Sequence, residues 1–168
     1  VLSTIPAGAG DADRGDVSLS AASVTGTGTP GTAFAGQGQG GGAAVVGATG
    51  ADGIDQNGYV VQNATVSFVK SAAVVDPFGG SRLVPGSVIT YTLVATISGS
   101  GTLTNLAVSD PVPANTSYVP GTITLQGAGL TDPAGDDAGE IAGNVITVRL
   151  GTVSGGQART VTFRARVN

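Results

Sequence analysis

Between Pro85 and Asp110 the chain reads PGSVITYTLVATISGSGTLTNLAVSD, and apolar and polar positions alternate. Ile89, Tyr91, Leu93, Ala95 and Ile97 fall on one face of an extended backbone, while Thr90, Thr92 and Thr96 fall on the other. That period of two predicts a strand with one buried and one wet face. After the Gly/Ser turn, Leu106 and Val108 begin a second strand ending at Asp110-Pro111, so a hairpin is expected here. The same alternation returns downstream. Ile123 and Leu125 alternate with Thr122 and Thr124; Ile146, Val148 and Leu150 share a face; so do Val161, Phe163, Ala165 and Val167. Upstream, Val66 and Phe68 share a face with Lys70, and Asp76-Pro77-Phe78-Gly79-Gly80 is a turn cluster. About six or seven short strands at this spacing predict an all-β fold, an immunoglobulin-like Greek-key β-sandwich over residues 58–168.

Residues 1–57 follow another pattern and predict an extended Gly-rich N-terminal arm. Within it, residues 17–24 (VSLSAASV) alternate Val17, Leu19 and Ala21 with Ser18 and Ser20, a strand with no adjacent strand to pair with. Residues 26–50 are a low-complexity, glycine-rich run that reads as a flexible tether. A lone strand on a tether must find its sheet elsewhere.

Composition narrows the choice. Glycine supplies 29 of 168 residues, against about 7 % on average, and no window carries apolar residues at a helical spacing long enough for a sizeable helix. Aromatic residues are 4 % and Trp is absent, so the core must be built from Val, Leu, Ile and Ala. The net charge is −4 with only seven cations in the whole chain, which argues against a nucleic-acid partner. No apolar run reaches the roughly 20 residues of a membrane-spanning helix. A start at Val1 rather than Met fits a removed leader and export. Without Cys or His, thiolate nucleophiles, cysteine-bound metals and the Ser-His-Asp arrangement are all excluded, and the chain is not expected to be an enzyme.

The order of three segments resembles a known family. They are GSVITYTLVATISGSG, then TNLAVSDPVPANTSYVPGT, then NVITVRLGTVSGGQARTVTFRARV. Tyr91-Thr92, Asp110 to Pro113, Tyr118 to Gly121, Leu150-Gly151 with Gly155, and Thr160 to Phe163 follow the pattern of the conserved-repeat "domain of unknown function eleven" modules of prokaryotic surface proteins. The resemblance covers about residues 66–168. It implies an extracellular, immunoglobulin-like structural module with no catalytic residues.

Several polar groups are candidates for chemistry. Asp132, Asp136, Asp137 and Glu140 crowd one Gly-rich loop, where carboxylates with backbone help could supply a Ca²⁺ site; no other cofactor is expected. Asp52, Asp55 and Asn57, and Asp11, Asp13 and Asp16, read as turn residues. Lys70 is the chain's single lysine and shares the Val66/Phe68 face, while Asp110 is in phase with Leu106 and Val108. If both faces point inward, the two form a buried ion pair or a Lys-Asp isopeptide bond; if both lie at strand ends, they reach water. Arg14-Gly15-Asp16 spells an integrin-type tripeptide, and Asn63-Ala64-Thr65 and Asn115-Thr116-Ser117 are glycosylation sequons.

These features together predict a structural role. The expected function is a self-assembling subunit of an extracellular, pilus-like surface filament. Its expected partners are copies of itself, joined by donation of the strand bearing Val17, Leu19 and Ala21. Donor and acceptor differ, so the contact would propagate without closing. The alternative is a cell-surface adhesion module whose loops contact a glycan or a host protein.

Overall fold

The computed structural model describes residues 4–24, 26 and 28–168. The described backbone divides into two compact units, residues 4–9 with 13–61, and residues 10–12 with 62–168.

The first unit contains β1 (Arg14–Ala22), β2 (Ala33–Phe34), β3 (Ala44–Val45) and β4 (Asp52–Val60). The expected strand at 17–24 is there, but it does not stand alone. β1 pairs antiparallel with β4 along its whole length, from Arg14 opposite Val60 to Ala22 opposite Asp52. The Val61 amide donating to the Asp13 carbonyl at 2.8 Å and the Ser23 amide donating to the Ala51 carbonyl at 3.0 Å extend the ladder at both ends. β4 reads DGIDQNGYV, with no apolar alternation to announce it, because this ribbon is held by backbone hydrogen bonds rather than by a buried face. The glycine-rich stretch is likewise no simple tether. β2 pairs with β3, and reciprocal bonds of 2.9 Å join Gly31 to Val46 and Val46 to Thr32. Gly26 lies so close to the Phe34 ring that a Cβ would collide with it. Among the described apolar residues of this unit only Val46 and Val61 are buried.

The second unit is the sandwich. Its strands are β5 (Thr65–Val75), β6 (Val88–Ser98), β7 (Thr102–Pro111), β8 (Thr116–Tyr118), β9 (Thr124–Leu125), β10 (Ala128–Gly129), β11 (Gly139–Ala142), β12 (Val145–Ser154) and β13 (Ala158–Val167). One antiparallel sheet has the order β10-β9-β13-β6-β5, with β8 also on β13; the other has the order β11-β12-β7. The inward rows of β6, β12 and β13 make one core, including Leu93, Ile97, Ile146, Val148, Val161 and Phe163. The all-β architecture follows from the alternation in these rows.

The Pro85 to Asp110 stretch is not a hairpin. β6 bonds to β5 and β13, whereas β7 bonds to β12, so the turn at 99–101 carries the chain from one sheet to the other. The apolar rows of both strands then contribute to the same core; in a hairpin they would lie side by side in one sheet. The turn's polar groups are satisfied from outside the two strands. The Ser100 amide donates to Asp11 Oδ2 at 2.9 Å, its hydroxyl donates to Asp11 Oδ1, and the Gly101 amide donates to the Asn63 carbonyl at 2.8 Å. The connection from β12 to β13 crosses between sheets in the same way and lies against the first. The Gly155 amide donates to the Gly101 carbonyl and the Gly156 amide to the Ile97 carbonyl, both at 2.8 Å. A Cβ on Gly155 would strike the Gly99 carbonyl oxygen.

Candidate functional site

The two sheets differ in width, and the consequence falls on β5. This eleven-residue strand pairs with β6 and, among the described residues, with no strand on its other edge. Val66, Phe68 and Lys70 sit opposite Ile97, Ala95 and Leu93 of β6, so they belong to the inward row. The narrower facing sheet leaves them uncovered: Phe68 is 49 % exposed. The outer row of β5 mixes Thr65, Ser67 and Ser71 with exposed apolar residues, Val69 at 63 % and Val75 similar. β7, the nearer edge of the facing sheet, also has one edge without a strand partner among the described residues. A groove of about 260 Å³ lined by Phe68, Leu93, Ala107, Val108 and Ser109 runs between them.

Lys70 and Asp110 span this flank. Parity alone pointed to their meeting, and Lys70 Nζ lies 2.6 Å from Asp110 Oδ2 and 2.8 Å from Oδ1, with hydrogen-bond geometry met at Oδ1. The lysine side chain is 40 % exposed and the aspartate 12 %, so the pair is buried on the carboxylate side and reaches water on the amine side. Nζ also lies 4.7 Å from the centre of the Tyr91 ring, which packs 5.1 Å from the Phe163 ring. The aromatic face adds a cation–π attraction to the ion pair. Tyr91 as the floor under Lys70 was not foreseen, although its in-phase position on β6 was a usable signal.

The acidic loop is not brought together as a cation site. Asp132 accepts the Tyr118 hydroxyl at 2.6 Å and the Gly121 amide at 3.0 Å. Asp137 accepts the Thr131 and Gly139 amides, each at 2.7 Å, which hold its pKa below the ordinary carboxylate value. Glu140 pairs with Arg149 at 2.8 Å, and Asp136 is exposed. Each carboxylate that could have ligated calcium, Asp136 apart, is occupied by a turn or an arginine. Among the described residues no group of three or more His, Cys, Asp or Glu could hold a metal ion. Burial, and then the hydrogen bond to Asp132, raise the Tyr118 pKa.

Two further carboxylates close turns, whereas Asp16 lies in β1 and Asp52, Asp55 and Asn57 lie in β4, so these four are strand residues and not the turn residues expected. Asp76 accepts the Phe78, Gly80 and Arg82 amides, and Asp11 accepts from Ser100 and Asn63; these bonds lower both pKa values, the Gly80 amide leading for Asp76 and the Ser100 hydroxyl for Asp11. Asp11 is thus a staple for a turn 89 residues away, for which its Gly/Asp-rich surroundings gave no cue. Arg14-Gly15-Asp16 lies in β1 opposite Val60, Tyr59 and Gly58, in a ladder rather than a loop. Val17, Leu19 and Ala21 remain an exposed row of β1, Leu19 at 62 %. Among the described residues no helix is long and apolar enough to cross a membrane. Compared with protein-family models, curated proteins and solved structures, the chain matches none.

Proposed function

We propose that this chain is a structural subunit that polymerises by strand addition, with the edge of β5 accepting β1 of a second copy. The observation that carries this reading is β5 itself: a long edge strand with exposed apolar side chains on both faces, Val66 and Phe68 on one and Val69 and Val75 on the other, whose single charge is already engaged by Asp110. Such an edge is a template for main-chain pairing, and natural sheets ordinarily blunt it with free charges, proline or bulges. β1 suits it by length, nine residues against eleven, and by the exposed row Val17, Leu19 and Ala21.

The ribbon that carries β1 supports the same reading. A two-stranded ribbon is marginal in water by itself, and with only two buried apolar residues among those described in its unit the ordering entropy of the backbone finds little offset. Joining a sheet would supply it. The pairing of β1 with β4 changes the donor from a lone strand to the edge of a ribbon, whose other edge has no strand partner among the described residues and can take the neighbour. Donor and acceptor are different surfaces, so copies add head to tail into an open polymer. The resemblance to modules of prokaryotic surface proteins makes an extracellular filament the setting we favour.

The test is electron microscopy of the purified full chain beside a Phe68→Lys, Val69→Lys variant. The proposal expects filaments from the parent chain and dispersed particles from the variant. Filaments of unchanged length from the variant would overturn it.

A further inference from the structure

The geometry at the open flank points to a covalent bond: we propose that Lys70 Nζ and the Asp110 carboxyl condense to an amide that ties β5 to β7. This inference does not depend on the assembly reading, since both groups belong to one chain.

Three observations converge. Lys70, the only lysine in the sequence, has its amine within 2.8 Å of both Asp110 oxygens. The carboxyl is held in an unusual way for this chain. Asp11, Asp76, Asp132 and Asp137 each accept backbone amides, whereas Asp110 accepts only Lys70 among the described residues, and its buried Oδ2 meets no hydrogen-bond geometry. A carboxyl without backbone donors is free to turn about its Cβ–Cγ bond and present its face to the amine. The interior side of Asp110 is dry. Leu93, Val108, Ile146, Val148, Val161 and Phe163 line the space there, with no room for a water molecule.

The chemistry balances within the pair. The step begins with transfer of one proton along the short contact from the ammonium to the carboxylate, which gives an amine beside a carboxylic acid. The amine lone pair adds to Cγ, one C–O bond breaks, and that oxygen departs as water carrying two protons. Ammonium plus carboxylate thus becomes one amide plus one water, with no oxidant, reductant or third reactant. The exposed amine side of the pair gives the water its exit. Holding the two groups in place substitutes for concentration, since well-oriented intramolecular pairs reach effective molarities of about 10⁵–10⁸ M. The bond would join the two sheets at the flank where both edges lack a strand partner among the described residues, and would keep β5 from peeling away under load.

Intact-mass measurement of the folded, then denatured, full chain tests this against Lys70→Arg. The expected parent mass is one water below the mass of its sequence, the Lys70→Arg chain is expected at its full sequence mass, and a protease digest of the parent gives one branched peptide containing residues 70 and 110. A parent chain at full sequence mass after prolonged incubation at neutral pH, with its strand circular-dichroism signal intact, overturns the proposal. So does a water loss that persists in Lys70→Arg, because it would then arise at another aspartate, such as Asp52 before Gly53.

Discussion

Replacing Phe68 by alanine separates the two demands made on β5. Full burial of a phenylalanine contributes about 1.5–3 kcal/mol, and Phe68 is 49 % exposed in the single chain. Roughly half of that contribution, about 0.7–1.5 kcal/mol, is therefore available only when another copy covers the strand. Since about 1.4 kcal/mol is a factor of ten in an equilibrium constant, Phe68→Ala should raise the concentration needed for assembly roughly three- to tenfold. The stability of the isolated chain should fall by a similar small amount. Phe163 is the internal control. It is fully buried against Tyr91, and Phe163→Ala should cost about 3–5 kcal/mol of folding stability. Sedimentation velocity across a concentration series reads assembly, and thermal unfolding by circular dichroism reads stability. The reasoning fails if Phe68→Ala destabilises the chain as much as Phe163→Ala does, or if it leaves assembly unchanged.

The remaining predictions concern the framework. The chain has no His, the side chain that ordinarily titrates between about pH 5 and 8, so its thermal midpoint should be flat across that range; a transition near neutrality would contradict this. Asp11, Asp76 and Asp137 have folded-state pKa values below the ordinary 3.8. The stability they contribute is therefore fully present above that value and is lost as pH falls through the lower folded one, so acid unfolding should begin only below it. Asp76→Asn should weaken that acid dependence, read as a shallower fall of the thermal midpoint with pH. Gly155→Ala should cost about 1–3 kcal/mol by driving a Cβ into the Gly99 carbonyl, and an unchanged thermal midpoint would show that the two crossings do not meet as closely as described.

What could be read in advance was whatever a buried face imprints on the sequence. β6, β12 and β13 alternate because one row of each is in the core, and the meeting of Lys70 with Asp110 follows from the same parity. β4 escaped because both of its faces are wet, so nothing selected an alternating row. The turn after Ser98 misled because a Gly/Ser turn serves a hairpin and a sheet-to-sheet crossing equally well. What separates the two is the rotation of the next strand and the distant donors, Asp11 and Asn63, that satisfy the turn. The glycine-rich run concealed a hairpin for a related reason: β2 and β3 contribute only two residues each, too few to show a period. In the acidic loop, carboxylate density was visible, but the amides and the arginine that engage the carboxylates depend on how the loop folds.

Strand addition itself can be tested by mixing two variants, Leu19→Cys in one population and Val69→Cys in the other. The chain has no cysteine of its own, so under mild oxidation a disulfide between the two kinds of subunit reports β1 of one copy lying beside β5 of another. The account predicts that this mixed species forms well above either like-with-like product and disappears when Phe68→Lys is added to the Val69→Cys chain. Equal yields of mixed and like-with-like products, or none under conditions where the parent chain polymerises, would contradict it.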